Sequence, residues 1–254
     1  YLLGDVLFRE QKARDSLAEF TAGAKFKHPG ASELKTVASD DVLLADFADA
    51  DKWFSEVTAE TPNDADAWYL LGRTKYNENR FAEAIAAFEH VLTLRPKDVQ
   101  TEDNLGLSEQ GLGHMEQAKA AFQTAIDWQH DAPADAQPYL NLGILLTDQG
   151  DLTGAIQQLT KAAALAPGNP TIHEELGRAL QTKGDMEGAQ SQLETAVKLA
   201  PNAAALHFKL GQIYRHRGFN DRAQQEFAIC AKLNGGHSST EVPNPFSPAR
   251  PAKP

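Results

Sequence analysis

Apolar and small side chains recur along the chain at a fixed interval. The clearest set is a column of phenylalanine and leucine whose members lie 34 residues apart, with one step of 37. This column is Phe20, Phe54, Phe88, Phe122, Leu159, Leu193 and Phe227. Three further columns keep the same register: Leu3, Val37, Leu71, Leu105, Leu142, Leu176, Leu210; Gly4, Ala38, Gly72, Gly106, Gly143, Gly177, Gly211; and Ser16, Ala50, Ala84, Ala118, Ala155, Ala189, Ala223. Four columns through seven units predict a repeat protein, because such a period is typical of stacked repeats.

Each unit predicts two helices. In the third unit, Trp68, Leu71 and Gly72 follow the spacing of one helix face. A second apolar series over residues 81–94 follows after a short turn, and Pro96 ends it because proline has no amide hydrogen to donate. One helix pair cannot bury its apolar face alone, so the units are expected to stabilise one another by stacking.

These residues resemble the tetratricopeptide repeat family, whose pattern is W-x2-L-G-x2-Y, then A-x3-F, then P. The matching residues of the third unit are Trp68, Leu71, Gly72, Ala84, Phe88 and Pro96. Lys75 stands where the family has tyrosine. The resemblance implies an all-α fold, a right-handed superhelical solenoid of antiparallel helix pairs over residues 1–237. The expected repeats are 1–30 (lacking its first residues), 31–64, 65–98, 99–135, 136–169, 170–203 and 204–237, followed by a proline-rich extended tail at 238–254.

Three positions depart from the regular pattern or carry unusual residues. In the second unit, Asp41 replaces an apolar residue. The fourth unit is three residues longer than the others around 131–133, which predicts either an extended second helix or a longer loop. Cys230, the only cysteine, lies in a small-residue column with Ala196 and is expected to be buried in the core.

The resemblance also implies a binding surface, because first helices of tetratricopeptide arrays line a concave groove. The positions that face this groove in the family carry Asp103, Leu140, Glu174 and Phe208, among others. The candidate groove residues for a peptide or partner are Tyr69, Arg73, Tyr76, Asn104, Asn141, Arg178, Lys209, Gln212 and Arg215. Tyrosine and arginine are frequent binding hot spots, and an asparagine amide both donates and accepts hydrogen bonds.

Each of these candidates has a second interpretation. Asn104 and Asn141 each precede Leu-Gly, similar to the asparagine ladder of the enzyme that attaches N-acetylglucosamine to Ser and Thr, but solvated polar side chains would give the same pattern. Tyr69 and Tyr76 fit packing between helices as well as ligand contact. The arginines fit ion pairs within the array as well as a ligand carboxylate.

We therefore expect a non-catalytic scaffold that binds a partner protein or an extended peptide in the groove. One alternative is a regulatory or substrate-recruiting arm of a larger enzyme. Another is a self-assembling structural protein, since residues 40–66 hold nine acids and one base while residues 205–232 hold five bases and two acids. The expected partners are proteins or peptides, with the chain's own or a neighbouring molecule's tail among them.

Charge and motif content exclude several classes of partner and activity. The net charge of -11 argues against nucleic acid and anionic membrane surfaces as partners. No apolar run reaches the length of a membrane-spanning helix, and no catalytic, cofactor or metal-binding motif is recognisable, so we expect no enzyme activity, no cofactor and no metal. The chain begins at Tyr1 within a repeat, so its N-terminus is interpreted as truncated. A soluble protein of the cytoplasm or periplasm is expected, with no signal peptide assessable.

The repeat pattern stops at Gly235, and the following segment is rich in proline. By composition it should be extended or disordered. Solenoids normally end in a capping helix with a polar outer face, and none is predicted after the seventh unit. We therefore expect Val242, Pro245 and Phe246 to pack against the uncapped end or in a groove of the same or a neighbouring molecule. The alternative is that the tail is only a linker.

Overall fold

A computed structural model of the chain describes residues 1–131 and 134–235. Within these ranges the chain is helical and contains no strand. It divides into two compact units, Tyr1–Leu165 and Ala166–Pro254. The expectations for residues 236–254, including the tail contacts of Val242, Pro245 and Phe246, lie outside the described residues.

Among its described residues, the first unit contains ten α helices. They are α1 (Leu2–Arg9), α2 (Ala13–Ala24), α3 (Ala31–Leu43), α4 (Phe47–Glu60), α5 (Ala65–Asn77), α6 (Phe81–Leu94), α7 (Val99–Gly111), α8 (Met115–Asp127), α9 (Ala136–Gln149) and α10 (Leu152–Leu165). A short 3-10 helix, Trp128–Asp131, follows α8 within the longer fourth unit. Each odd-numbered helix packs against the helix that follows it, so the unit is a series of helix pairs.

The second unit contains four α helices among its described residues. They are α11 (Pro170–Lys183), α12 (Met186–Leu199), α13 (Ala204–His216) and α14 (Asn220–Leu233). They form two further pairs, α11 with α12 and α13 with α14. The described residues therefore form an all-α repeat fold, as the sequence predicts.

Local sequence signals fix where many of these helices begin and end. The side chains of Asp64, Asp98 and Asn169 accept hydrogen bonds from backbone N–H groups in the first turns of α5, α7 and α11. Gly150 and Gly184 end α9 and α11 with φ of 84° and 92°, a left-handed conformation that glycine adopts without steric cost.

The phenylalanine column fills the space that the glycine column leaves open. Phe88 and Phe122 are fully buried. A Cβ atom on Gly72 would lie 2.6 Å from the Phe88 ring, and one on Gly106 would lie 2.6 Å from the Phe122 ring. A methyl group therefore has no room there, which explains why a small residue precedes each aromatic ring by 16 positions.

In three repeats, a ring nitrogen of the first helix contacts the backbone carbonyl of the proline that ends the preceding repeat. Trp68 Nε1 donates to the Pro62 carbonyl at 2.9 Å. His173 Nε2 lies 3.0 Å from the Pro167 carbonyl, and His207 Nε2 lies 2.9 Å from that of Pro201. These two imidazoles therefore take the place of the Trp68 indole in their repeats, each within hydrogen-bond distance of a proline carbonyl.

His207 also contacts a carboxylate, because its Nδ1 lies 2.6 Å from Glu226 Oε2. Burial lowers the pKa of His207, but the Glu226 carboxylate and the Pro201 carbonyl outweigh burial, so the pKa lies above its ordinary value. The imidazolium form is therefore the one that these two acceptors stabilise.

The second repeat contains a buried carboxylate without compensating charge. Asp41 on α3 is 6% exposed, and its Oδ2 atom has no hydrogen-bond partner within the described residues. In the next repeat the corresponding Lys75 pairs with Asp51 at 2.7 Å. Burial, together with Asp49, Asp46 and Asp40, raises the pKa of Asp41 to about 6. The unit in which the sequence pattern is weakest therefore also carries a buried charge.

We expect Asp41→Asn to stabilise the protein at pH 8 by about 2–3 kcal/mol, since the pKa rises by about two units on folding. A raised pKa means that the folded state binds the proton more tightly. Stability therefore falls as pH rises from about 4 to 6 and stays low above that. Urea unfolding at pH 4 and pH 8 measures the effect, with the exposed Asp15→Asn as control. An equal effect of Asp41→Asn at both pH values would contradict the explanation.

Candidate functional site

Polar side chains on the first helices of the third, fourth and fifth repeats are linked by hydrogen bonds. We call this set, formed by Tyr69, Arg73, Asp103, Asn104, Gln137 and Asn141 on α5, α7 and α9, the polar strip. It lies within the first compact unit and includes four of the nine groove residues predicted from the sequence.

The first part of the polar strip centres on the Tyr69 hydroxyl. Arg73 Nη1 donates to this oxygen at 3.4 Å, and Asn104 Nδ2 donates to it at 3.2 Å. Asn104 Nδ2 also donates to the Gln100 carbonyl at 2.7 Å. Asn104 is buried, whereas Arg73 is exposed on the surface of α5. The Tyr69 ring rests against Phe88, with 5.9 Å between ring centroids.

The second part of the polar strip centres on a buried carboxylate. Asn141 Nδ2 donates to Asp103 Oδ1 at 3.0 Å and to Oδ2 at 2.9 Å. Gln137 Nε2 donates to Asn141 Oδ1 at 3.0 Å. Burial raises the pKa of Asp103, the Asn141 hydrogen bonds lower it, and Asp135 raises it, with a final value of about 7. Asp103 therefore exchanges its proton close to neutral pH.

These contacts repeat along the chain. A residue at one position of a first helix binds the side chain of the preceding repeat's first helix. The pairs are Asn104 with Tyr69, Asn141 with Asp103, and Lys209 with Glu174, of which the last lies in the second unit. The two asparagines are thus buried links between repeats, an arrangement that neither interpretation of the sequence had described.

Tyr76 lies apart from these hydrogen-bonded groups. Its ring contacts Phe81 edge-on, with 5.5 Å between the centroids. Phe81 in turn lies where a Cβ atom on Gly111 would be 2.7 Å from the ring. The structure therefore places Tyr76 in packing between the two helices of its own repeat, against a ring that also borders the next repeat.

The predicted groove residues of the second unit do not form one hydrogen-bonded group, and each has its own contacts. Arg178 Nε pairs with Glu175 Oε2 at 2.6 Å, and Lys209 pairs with Glu174. Gln212 is half-buried. The Arg215 guanidinium lies over the Phe227 ring, 5.8 Å from its centroid. Arg178 and Lys209 therefore hold ion pairs within the array, while Arg215 is exposed.

Sequence reasoning did not select Gln137, which orients Asn141. The two residues lie four positions apart, so they are neighbours on the surface of α9. This four-residue spacing is the sequence signal that could have identified Gln137 as a partner of Asn141. Asp103 was placed in the groove by family position but was not selected, because a carboxylate gains importance here only through the burial that the fold imposes.

Over residues 1–131 and 134–235, no group of three or more His, Cys, Asp or Glu side chains is arranged to hold a metal ion. Among the helices in these ranges, none is long and apolar enough to cross a membrane.

Comparison with known families agrees with the helix pairs and the columns. Three sequence models, each described as tetratricopeptide repeat, match residues 65–98, 104–170 and 146–213. The chain is a tetratricopeptide repeat protein. Fourteen helices in the described ranges correspond to about seven repeats of the family. A fold of this kind serves as a protein–protein interaction scaffold.

Individual relatives match over parts of their length. An uncharacterised TPR repeat-containing protein of Arabidopsis thaliana is 30% identical over 110 residues, which are 40% of this chain and 13% of that protein. The chain thus spans about an eighth of that relative.

Among solved structures, PilW, a type IV pilus biogenesis factor, superposes with a TM-score of 0.71 at 20% identity, covering 82% of this chain and 94% of PilW. YrrB, described as a TPR protein with an unusual peptide-binding site, superposes with a TM-score of 0.56 at 18% identity, covering 72% of this chain and 93% of YrrB. At these identities the likeness establishes the fold.

Proposed function

We propose that this tetratricopeptide repeat protein is a non-catalytic scaffold that binds an extended peptide, or an extended segment of a partner protein, on the polar strip. The observation that carries the proposal is the chain of hydrogen bonds that fixes Arg73, Tyr69 and Asn104 across two repeats. Groups held in place before binding lose little conformational entropy when a ligand arrives, so such a surface favours recognition.

The polar strip retains hydrogen-bonding capacity for a ligand. The Tyr69 hydroxyl is the one polar partner that the Arg73 guanidinium has among the described residues, and Arg73 is exposed. Its other N–H groups are free to bind a carboxylate or a peptide carbonyl. The amide nitrogen of Asn104 is already engaged, but its Oδ1 is available to accept from a peptide N–H. Arg73 and Asn104 therefore supply both kinds of contact that an extended backbone needs.

The comparison with YrrB supports the same class of ligand, because that protein's description names a peptide-binding site and its fold superposes on most of this chain.

A second candidate function is a recruiting arm of a larger protein. It is favoured by the Arabidopsis relative, of which this chain matches only 13%. The sequence of the complete gene product distinguishes the two, since a catalytic domain in the same polypeptide supports the arm.

The proposal is tested by selecting binders from random peptides displayed on phage against the immobilised full chain, then measuring the enriched peptide by fluorescence anisotropy. We expect Arg73→Ala to weaken binding about tenfold, the effect of losing one charge-assisted hydrogen bond. Asn104→Ala should weaken it further. Arg14→Ala, which removes an exposed arginine from α2, is the matched control.

Circular dichroism shows whether each variant keeps its helices, so a folding defect is not mistaken for lost binding. Arg73 is exposed, and its removal is not expected to disturb the fold. If no peptide is enriched, or if Arg73→Ala and Arg14→Ala bind the enriched peptide equally, the polar strip is not the binding surface.

A further inference from the structure

The last repeat exposes residues that every other repeat buries. Six members of the phenylalanine and leucine column are at most 3% exposed: Phe20, Phe54, Phe88, Phe122, Leu159 and Leu193. The seventh, Phe227 on α14, is only half-buried. Likewise Ala125, Ala162 and Ala196 are fully buried, whereas Cys230 in the same column is half-buried. The prediction that Cys230 lies in the core is therefore wrong.

The reason is seen in the second unit, where α13 of the last repeat covers α12 of the repeat before it. Leu193 on α12 lies in one apolar cluster with Leu210, Ile213 and Tyr214 of α13. Phe227 occupies the same place on α14, but no described helix follows α14. Its outer side, and that of Cys230 one turn later, therefore lack the cover that Leu193 and Ala196 receive.

The uncovered residues form one surface, which we call the terminal face and define as Phe208, Arg215, Phe227 and Cys230. Phe208 on α13 is 46% exposed and lies 5.7 Å from Phe227 between ring centroids. The Arg215 guanidinium lies 5.8 Å from the same Phe227 ring. Two aromatic rings beside a guanidinium are suited to an extended proline-rich segment, since such segments dock in aromatic-lined grooves.

A segment of that composition directly follows α14 in the chain. Residues 236–254 include prolines at 243, 245, 248, 251 and 254 with Phe246 among them. Helix α14 has 14 residues and is therefore about 21 Å long. The eleven residues that follow Gly235, 236–246, would reach about 34 Å if extended in a polyproline II conformation. The segment is long enough to pass along the whole of α14.

The backbone also leaves the right-handed helical conformation where this segment begins. Gly235 follows α14 with φ of 92°, the left-handed conformation in which glycine redirects a chain after a helix. We propose that Val242, Pro245 and Phe246 cover the terminal face of their own molecule, in place of a capping helix. This contact is separate from the polar strip, and the proposal does not depend on the proposed function.

Cys230 is a natural reporter, because it is the only cysteine and belongs to the terminal face. The experiment measures the rate at which an aromatic disulfide reagent modifies Cys230 in the full chain, in a chain ending at Gly235, and in Phe246→Ala. We expect the shortened chain and Phe246→Ala to react about five- to thirtyfold faster, the factor expected when one apolar contact is lost. Ser247→Ala is the matched control and should react like the full chain.

Circular dichroism and the thermal transition establish that the variants remain folded, so that faster labelling reports on the terminal face. Equal rates in the full and the shortened chain, or an unchanged rate in Phe246→Ala, overturn the proposal. A rate in the full chain that increases on dilution indicates cover by a second copy and also overturns it. A rate that is independent of protein concentration and increases on truncation supports cover by the chain's own tail.

Discussion

Replacing Phe88 with alanine is expected to lower the free energy of unfolding by about 3–5 kcal/mol. The Phe88 ring is fully buried and lies against Gly72, which has no side chain to fill the space that the ring would leave. The Tyr69 ring also packs on Phe88, so the substitution removes support from a residue of the polar strip. The lost stability therefore has two parts: the free energy of transferring the ring out of water, and the cost of a cavity that the neighbouring helices cannot close.

Equilibrium unfolding in urea, followed by circular dichroism, measures this loss. Phe26→Ala is the matched control, because Phe26 is 92% exposed and the same chemical change there should alter stability by less than about 0.5 kcal/mol. A stabilising interaction in a stacked array is shared between neighbouring repeats, so we expect the whole transition of the Phe88→Ala variant to move. Similar losses in the two variants would show that the phenylalanine column does not hold the repeats together.

The sequence predicted the fold well because each repeat imposes the same packing problem. A ring such as Phe122 needs a small residue at Gly106, and this requirement returns at a fixed spacing that is visible without coordinates. Seven repetitions of one local rule make the helix pairs predictable. The same reasoning failed at Cys230, because its column position says nothing about whether a further repeat follows to cover it.

The candidate site was less predictable, because its character depends on contacts between repeats. Family position placed Tyr69 and Asn104 on neighbouring first helices, but only the structure shows that the amide binds the hydroxyl. It also shows Lys209 and Arg178 paired with glutamates within the array. Partner choice among long polar side chains depends on distances that sequence spacing does not determine.

Asp103→Asn is expected to stabilise the protein by about 4 kcal/mol at pH 8. Burial is the main reason that the pKa of Asp103 rises from 3.8 to about 7, and a shift of one unit corresponds to about 1.4 kcal/mol. Asparagine presents a carbonyl oxygen to Asn141 Nδ2, so a hydrogen bond between the repeats is retained while the buried charge is removed. The gain should therefore be among the largest that a single substitution in this chain produces.

The pH dependence gives the sharper test, because its sign is fixed by the direction of the pKa shift. Between about pH 4 and pH 7 the unfolded chain has released the Asp103 proton while the folded chain still holds it, so stability falls as pH rises through this window. By about pH 8 both states are largely ionised and the loss is nearly complete. The variant Asp103→Asn should match the wild type near pH 4 and exceed it increasingly up to pH 8. Asp127→Asn, which removes a carboxylate from the end of α8, is the control and should retain the wild-type slope. A wild-type slope in Asp103→Asn as well would mean that another group titrates in this window and that Asp103 is ionised throughout.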